Sequence, residues 1–420
     1  MSGTTRREAL MPDSERIAAD LRELSSFTES AEPGWSRRVF SEPYRAARGF
    51  VEQRMRGAGL DTHVDAAGNI VGRLAGRRQT LPALMTGSHT DTVHAGGRFD
   101  GMVGVLGAIE VARRLRETGT ELERDLYVVD FLGEEANPFG LSCMGSRAIA
   151  GSLSRDHLDR QDETGLRLGD AMSRFGVAPE HALEMAWSPG SLQGYVELHI
   201  EQGPVLERGS KQIGVVTAIA GIERLLASFS GRADHAGTMP MAGRQDALVA
   251  AASAVLTIER EACGAPIHGV STTGRIESSP GSFNIVPDEA RIWAEMRSID
   301  ASWLQGAKRR VAERIAAEAS DRGVDAVLEW LNDSETVSAT TSVQDRIAGA
   351  ADDLGFCWEA MPSGAGHDAA HIAAIAPMGM IFVPSAGGRS HVPEEFTDVA
   401  DIARGVHLLA ASLVDLDRGN

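Results

Sequence analysis

Apolar residues recur at helical spacing near the start of the chain. Ile17, Leu21 and Leu24 share one face of "DSERIAADLRELSSF", which predicts an amphipathic helix from Asp13. A second helix is predicted over "SEPYRAARGFVEQRMRGAG", with Ser41 as cap, Pro43 in the first turn and glycines as the stop. Three strands follow, "DTHVDAAG", "NIVGRLAG" and "LPALMTGS". A long apolar face then marks "GMVGVLGAIEVARRLRETG" as a helix. "RDLYVVDFLG" is nearly all apolar, as expected of a strand at the centre of a sheet covered on both faces. Strands alternating with helices predict an α/β layer structure. Residues 1–12 are expected to be frayed.

The rhythm changes near Gly221. "RLLASFSGRA" reads as a strand and "DALVAAASAVLTIEREA" as a helix. "IHGVSTTGRIE" and "ARIWAEMRSID" read as strands, "SWLQGAKRRVAERIAAEASDRG" as a helix and "DAVLEWL" as a strand. That order, βαββαβ, is the split ferredoxin-like unit. It closes by about residue 333, after which an α/β pattern returns. The expected organisation is therefore a discontinuous domain of residues 1–215 and 334–420, interrupted by a domain of residues 216–333.

Composition narrows the function. The 420 residues hold 43% apolar and 24% charged positions, ordinary for a globular chain. The 41 basic residues against 59 acidic give a formal charge of −18, which argues against nucleic acid or an anionic membrane as partner. Three scattered cysteines, Cys143, Cys263 and Cys357, form no disulfide framework and are read as small buried hydrophobes in a reducing compartment. No apolar leader follows the N-terminal Arg pair, and no run reaches the roughly 18 apolar residues of a spanning helix. A cytoplasmic protein is expected. No Gly-x-Gly-x-x-Gly run follows a first strand and no phosphate-binding lysine loop occurs, which disfavours a nucleotide site.

The chemistry-bearing residues gather where predicted strands end, the place where open α/β sheets build their sites. They are His89 and Asp100 in "GSHTDTVHAGGRFDG", Glu134 and Glu135 in "FLGEEANPFG", His199 in "ELHIEQGP" and His391 in "GGRSHVPEE". Histidines with carboxylates suit zinc, manganese or a similar divalent ion. Each residue also has a plainer reading. A histidine at a strand end is commonly just hydrogen-bonded, a Glu–Glu pair a solvated turn, and Asp100 a helix cap.

Taken together, "GSHTDTV…GGRFDG", "GEE", "GSRAIAG", "ELHIEQGPVLE", "DHAGTMPM", "FNIVPDEARIWAEMRSID", "SGAGHDA" and "FVPS…SHVPEE" resemble the hydantoinase/carbamoylase branch of the dinuclear zinc aminoacylase–carboxypeptidase superfamily. The resemblance runs from about Trp35 to the C-terminus. Members include N-carbamoyl-L-amino acid hydrolases, allantoate amidohydrolases and β-ureidopropionases. It implies a zinc-peptidase-like catalytic domain with a central mixed sheet, and an inserted ferredoxin-like domain that serves as lid and homodimer contact. It implies two divalent metal ions, zinc or else manganese, cobalt or nickel. His89 and His391 would sit on opposite ions with Asp100 between them, Glu135 completing one site and His199 the other. Glu134 would be the general base and later the general acid, and Asp91 the partner that orients His89. Gln202, His235, Asn284 and Arg297 would bind substrate, with Arg297 forking onto a carboxylate. His367 would line the pocket.

The implied reaction is hydrolysis of the carbamoyl C–N bond of an N-carbamoyl-L-amino acid. Metal coordination lowers the pKa of water from 15.7 to about 7, Glu134 takes the proton, and the hydroxide attacks the carbonyl. Allantoate, another ureide, or another amide or aromatic amine is the alternative substrate. A catalytically dead binding protein is a third reading, disfavoured by the presence of Glu134 and all five ligand positions. The sequence departs from the family at Ala136-Asn137-Pro138, where many members carry Gly-Ser-Arg-Phe or similar. That removes an arginine beside the ligands and leaves the substrate's distal group open.

Overall fold

The computed structural model describes residues 9–29, 33–266 and 268–419. The expected frayed, leaderless start falls largely on residues 1–8, outside the described ones. Leu10 is not frayed: it is 1% exposed and belongs to the main apolar cluster. The helix at Ser14–Ser25 forms as the pattern predicts, capped by the Asp13 side chain, and buries Ile17, Leu21 and Leu24. Glu42–Gly57 is capped by Ser41 with proline in its first turn.

The strands are β1 (Asp61–Val64), β2 (Ile70–Leu74), β3 (Ala83–His89), β4 (Leu126–Phe131), β5 (Leu192–Ile200), β6 (Ile213–Ile219), β7 (Gly221–Ser230), β8 (Val270–Ser279), β9 (Glu289–Ser298), β10 (Asp325–Ser334), β11 (Val337–Ser338), β12 (Trp358–Ser363) and β13 (Met378–Val383). Several predicted strands are shorter than the pattern suggested. "DTHVDAAG" stops at Val64 because the Asp65 carboxylate accepts from the Ala67 and Asn69 backbone N–H groups and turns the chain. β8 starts at Val270 rather than at residue 267, because a turn bonds Gly269 N–H to the Pro266 carbonyl.

The chain divides into two compact units. The first comprises the chain up to Thr217, Ser338–Ser363 and the chain from His367; the second comprises Ala218–Val337 with Gly364–Gly366. A nine-stranded mixed sheet runs β1-β2-β4-β3-β5-β13-β6-β11, with β12 also on β6. Its middle, β4-β3-β5-β13, is parallel, while β1, β2 and β6 pair antiparallel. The predicted central strand is β4, buried at five of its six positions. Helices Ser14–Ser25, Met102–Glu117, Thr341–Asp353 and Val399–Asp417 share one apolar cluster with the sheet. Each large side chain fully buried there contributes about 1.5–3 kcal/mol.

The register decides what the middle of the sheet carries. His89 on β3 pairs with Phe131 on β4, and His199 on β5 pairs with Phe382 on β13. Thr86 pairs with Val196, so continuing that register sets His89 level with His199. The parallel strands thus end in one row, with two histidines in its centre.

The second unit has an antiparallel four-stranded sheet in the order β10-β7-β9-β8, with helices Ala247–Cys263 and Ala301–Ser320. Its chain order is the βαββαβ that the pattern predicts. Alternate residues of β9, Ala290, Ile292, Ala294 and Met296, join its core. Among the described residues no helix is long and apolar enough to cross a membrane. The reading of all three cysteines as buried fails for two. Cys143 is buried, but Cys263 and Cys357 are exposed, and none of the three is in a disulfide. Cys263 is the last residue of its helix, and Cys357 lies in the short turn before β12.

Candidate metal centre

The loop from Thr90 to Gly101 leaves β3, passes Asp100 and enters the helix at Met102. Asp100 is not the cap: Gly101 holds that position, and no side chain bonds the helix start. Gly101 has φ +71°, and a Cβ there would come within 2.5 Å of the His89 ring and carbonyl. Glycine is required both by the left-handed backbone and by this close approach. Its N–H donates to His199 Nε2 at 3.2 Å. Gly101→Ala is expected to displace Asp100 and lower bound metal and turnover together. Metal analysis of the folded variant checks this, and full metal content would refute it.

Around Asp100 the predicted residues converge. Its Oδ1 lies 3.5 Å from His89 Nε2 and 3.1 Å from His199 Nε2. Its Oδ2 lies 3.2 Å from His391 Nε2, which is 3.4 Å from Glu135 Oε1. Two donor groups result, His89–Asp100–His199 and Asp100–Glu135–His391. His391 does not lie at a strand end. It follows β13 by eight residues, in a loop, with φ +59°.

The tautomers show what such a group needs. His89 Nδ1 faces the Asp91 carbonyl at 3.1 Å and His199 Nδ1 the Ile200 carbonyl at 2.9 Å. A carbonyl only accepts, so each Nδ1 carries a proton, and in the neutral imidazole Nε2 is then the lone-pair atom. Each Nε2 faces an oxygen of Asp100, so positive charge must lie between the two: a proton on the ring in the metal-free chain, or a divalent ion in its place. Tetrahedral bonds of about 2.1 Å place ligand atoms roughly 3.4 Å apart. The separations of 3.1 to 3.5 Å fit. The nitrogen and oxygen donors therefore fit a divalent ion in each group.

The carboxylates show the metal-free alternative, in which protons fill that place. Asp100 is buried, which alone would raise its pKa, yet hydrogen bonds with His199, His391 and His89 hold it well below the usual range. Burial pushes Glu134 well up and Glu135 to about 7, with neighbouring carboxylates adding to both. Glu134 and Glu135 are each 8% exposed, so the pair is no solvated turn. Glu134 Oε2 sits 3.6 Å from His89 Nε2, beside the first group without belonging to it. Asp91 works on two sides. Its backbone carbonyl receives His89, and its carboxylate accepts the N–H groups of Glu134 at 3.2 Å and Glu135 at 3.1 Å.

Gln202, with φ +57°, donates from Nε2 to Asp100 Oδ2 at 2.6 Å. His367 is buried behind His199, ring to ring at 4.6 Å, with Nε2 on the Ser363 hydroxyl at 2.8 Å. The other predicted residues belong to the second unit. His235 and Asn284 are exposed on adjoining loops, joined by the Ala236 N–H on the Asn284 carbonyl. Arg297 donates through Nε to Glu295 and through Nη1 to the Gly364 carbonyl.

Sequence reading missed Glu197 and Glu395. Glu197 forms a third group with His199 and His367. Its oxygens already accept from the Ser88 and Tyr195 hydroxyls and the Ala369 N–H, so it is satisfied without an ion. Its only signal was an acidic residue inside a strand otherwise buried.

These features define a class: an α/β chain with paired histidine–carboxylate groups across the ends of parallel strands. A family model described as Peptidase family M20/M25/M40 matches residues 80–415. The chain is 40% identical over 406 residues to the N-carbamoyl-L-amino-acid amidohydrolase of Paenarthrobacter aurescens, covering 96% of this chain and 98% of that one. It is 36% identical to the ureidoglycolate hydrolase of Oryza sativa subsp. japonica, covering 96% and 85%. A solved structure, the hydantoinase/carbamoylase family amidase of Burkholderia vietnamiensis, superposes with a TM-score of 0.88 at 32% identity, covering 97% and 98%. The chain belongs to peptidase family M20/M25/M40 and, within it, to the hydantoinase/carbamoylase amidases.

Proposed function

We propose that this protein is a metal-dependent amidohydrolase that cleaves the carbamoyl C–N bond of N-carbamoyl-L-amino acids. The observation that carries the reading is the convergence of His89 Nε2 and His199 Nε2 on Asp100 at ligand spacing, with a separate buried carboxylate, Glu134, alongside. The 40% identical relative, matched end to end, supports the substrate class. His89, Asp100 and His199 would hold one divalent ion, and Asp100, Glu135 and His391 a second, zinc or else manganese, cobalt or nickel. When bound, such ions acidify water and polarise a carbonyl.

The chain's own residues do the rest. Burial and neighbouring charge raise Glu134's affinity for a proton, so it can take one from the attacking water and pass it to the leaving nitrogen. Asp91 fixes both His89 and the Glu134–Glu135 backbone, so base and ligands keep one geometry. Gln202 and His367 flank Asp100 and His199. Arg297 would fork onto the substrate carboxylate, and His235 and Asn284 would contact the substrate from the second unit. That unit, expected over residues 216–333 and observed as Ala218–Val337 with Gly364–Gly366, would also act as lid and homodimer contact. Three cysteines outside any disulfide favour a cytoplasmic setting.

A second reading, hydrolysis of a ureide such as ureidoglycolate or allantoate, is favoured by the 36% identical ureidoglycolate hydrolase. The Ala136-Asn137-Pro138 segment leaves the substrate's distal group open in both readings. There Asn137 braces its own loop, accepting from Phe139 N–H and donating to the Leu141 carbonyl. A turnover screen of zinc- or manganese-loaded protein separates the two. Chelator-sensitive release of free amino acid from N-carbamoyl-L-amino acids is expected. Release only from allantoate or ureidoglycolate would establish the second reading, and silence on all would overturn both.

A further inference from the structure

We propose that Glu395 is a positioning residue that sets how Asp100 spans the two donor groups, an inference that rests on Asp100 being the ligand they share. Glu395 is 2% exposed and far from Asp100 in sequence. Its Oε1 accepts the backbone N–H groups of Phe99 at 2.8 Å and Asp100 at 3.1 Å. Its Oε2 accepts from the Ser390 hydroxyl at 2.7 Å, and that same hydroxyl lies 2.9 Å from Asp100 Oδ2. One carboxylate therefore grips the main chain of Asp100 directly and its side chain through Ser390.

The grip joins two loops, which Phe99 and Phe396 also bring together, edge to face at 5.6 Å. One carries Asp100 from β3 into its helix. The other carries His391, which adjoins Ser390, after β13. Gly97 belongs to the same clasp, because a Cβ there would overlap the Glu395 carboxylate. Glu395 itself contributes to neither donor group. Its effect falls mainly on Oδ2, the oxygen that faces His391 and Glu135. Without it, the Asp100 carboxylate is free to rotate away from His391.

A carboxylate that only accepts N–H and O–H bonds here can be replaced by an amide oxygen for the backbone grip, but not by a methyl group. The test is a competitive chelator titration with zinc on the full chain, comparing wild type, Glu395→Gln and Glu395→Ala. In Glu395→Ala one of two ions is expected to bind roughly 10- to 100-fold more weakly, the usual effect of losing a residue that orients a ligand. Glu395→Gln is expected to stay within about threefold of wild type. Thermal melting of the metal-free proteins supplies a second reading, because a purely structural residue would lower melting without changing ion affinity. Should Glu395→Ala fail to fold, Ser390→Ala removes the hydroxyl between Glu395 Oε2 and Asp100 Oδ2, leaves the backbone grip of Oε1 in place, and is expected to weaken the same ion. Two ions bound at wild-type affinity by Glu395→Ala, or by Ser390→Ala in its place, would overturn the role. A wild-type chain that binds no zinc would instead overturn the proposed function beneath it.

Discussion

Glu134→Gln should bind metal as wild type does and lose turnover by roughly 10²- to 10⁴-fold, the range a general acid–base group supplies. The amide matches the carboxylate in size, so the pocket keeps its shape. The backbone of residue 134 stays held by Asp91, and the ligand Glu135 next to it is untouched. What disappears is an acceptor for the proton of the attacking water and a donor for the leaving nitrogen. The loss should fall on kcat rather than KM, because the interaction is made as the proton moves. Metal content of the purified variant must accompany the rates. Unchanged metal with unchanged kcat would remove Glu134 from the reaction, whereas lost metal would show that it is a ligand rather than a base.

The same pair of glutamates shows how far sequence carried the site. Two adjacent acids after a buried strand announce chemistry, and the motif order assigned His89, Asp100, Glu134, Glu135, His199 and His391 to one centre. The structure does gather them. Short-range spacing, however, cannot say which atoms face which. Asp91 reads in sequence as the residue that orients His89, but only the structure shows that its carbonyl lies nearest to Nδ1, at 3.1 Å, with a carboxylate oxygen at 3.6 Å, and that the same carboxylate holds the 134–135 backbone. Glu395 was invisible as a clasp because its partners lie nearly three hundred residues away. The fold was legible where periodicity is strong. β4, the Met102–Glu117 helix and the whole βαββαβ unit follow from apolar spacing alone. It was poorly legible between Pro138 and Gly190, where four short helices, Met144–Ile149, Arg155–Leu158, Leu168–Phe175 and Pro179–Ala182, build their own small cluster around Tyr44 and Leu168. Helices of four to eight residues give too few turns to establish a period.

Removing the metal should abolish turnover and also unsettle the fold, by an amount that depends on pH. An ion that binds only the folded chain stabilises it by about 4 kcal/mol per site when present at a thousand times its dissociation constant. The chelated chain must instead hold its cluster together with protons. Burial lifts Glu135 to about 7, only partly offset by His391. Burial works against a proton on His391, yet the charge of Glu135 and the hydrogen bond with Asp100 outweigh it and lift that histidine to about 10. Both folded-state values lie above the ordinary ones. The folded, metal-free chain therefore holds protons that the unfolded chain has released, and its stability falls as pH rises. For Glu135 the window is about 4.5 to 7, and for His391 it is about 6.5 to 10. A divalent ion displaces these protons, so its binding tightens over the same range. The melting temperature of the chelated protein should drop between pH 5 and about 8, and the gap to the zinc-loaded protein should widen. Restoring zinc or manganese should recover both stability and activity. A gap that stayed constant with pH would mean that no protons leave the cluster when the ion enters, and the close approach of His391 and Glu135 around Asp100 would then need another explanation.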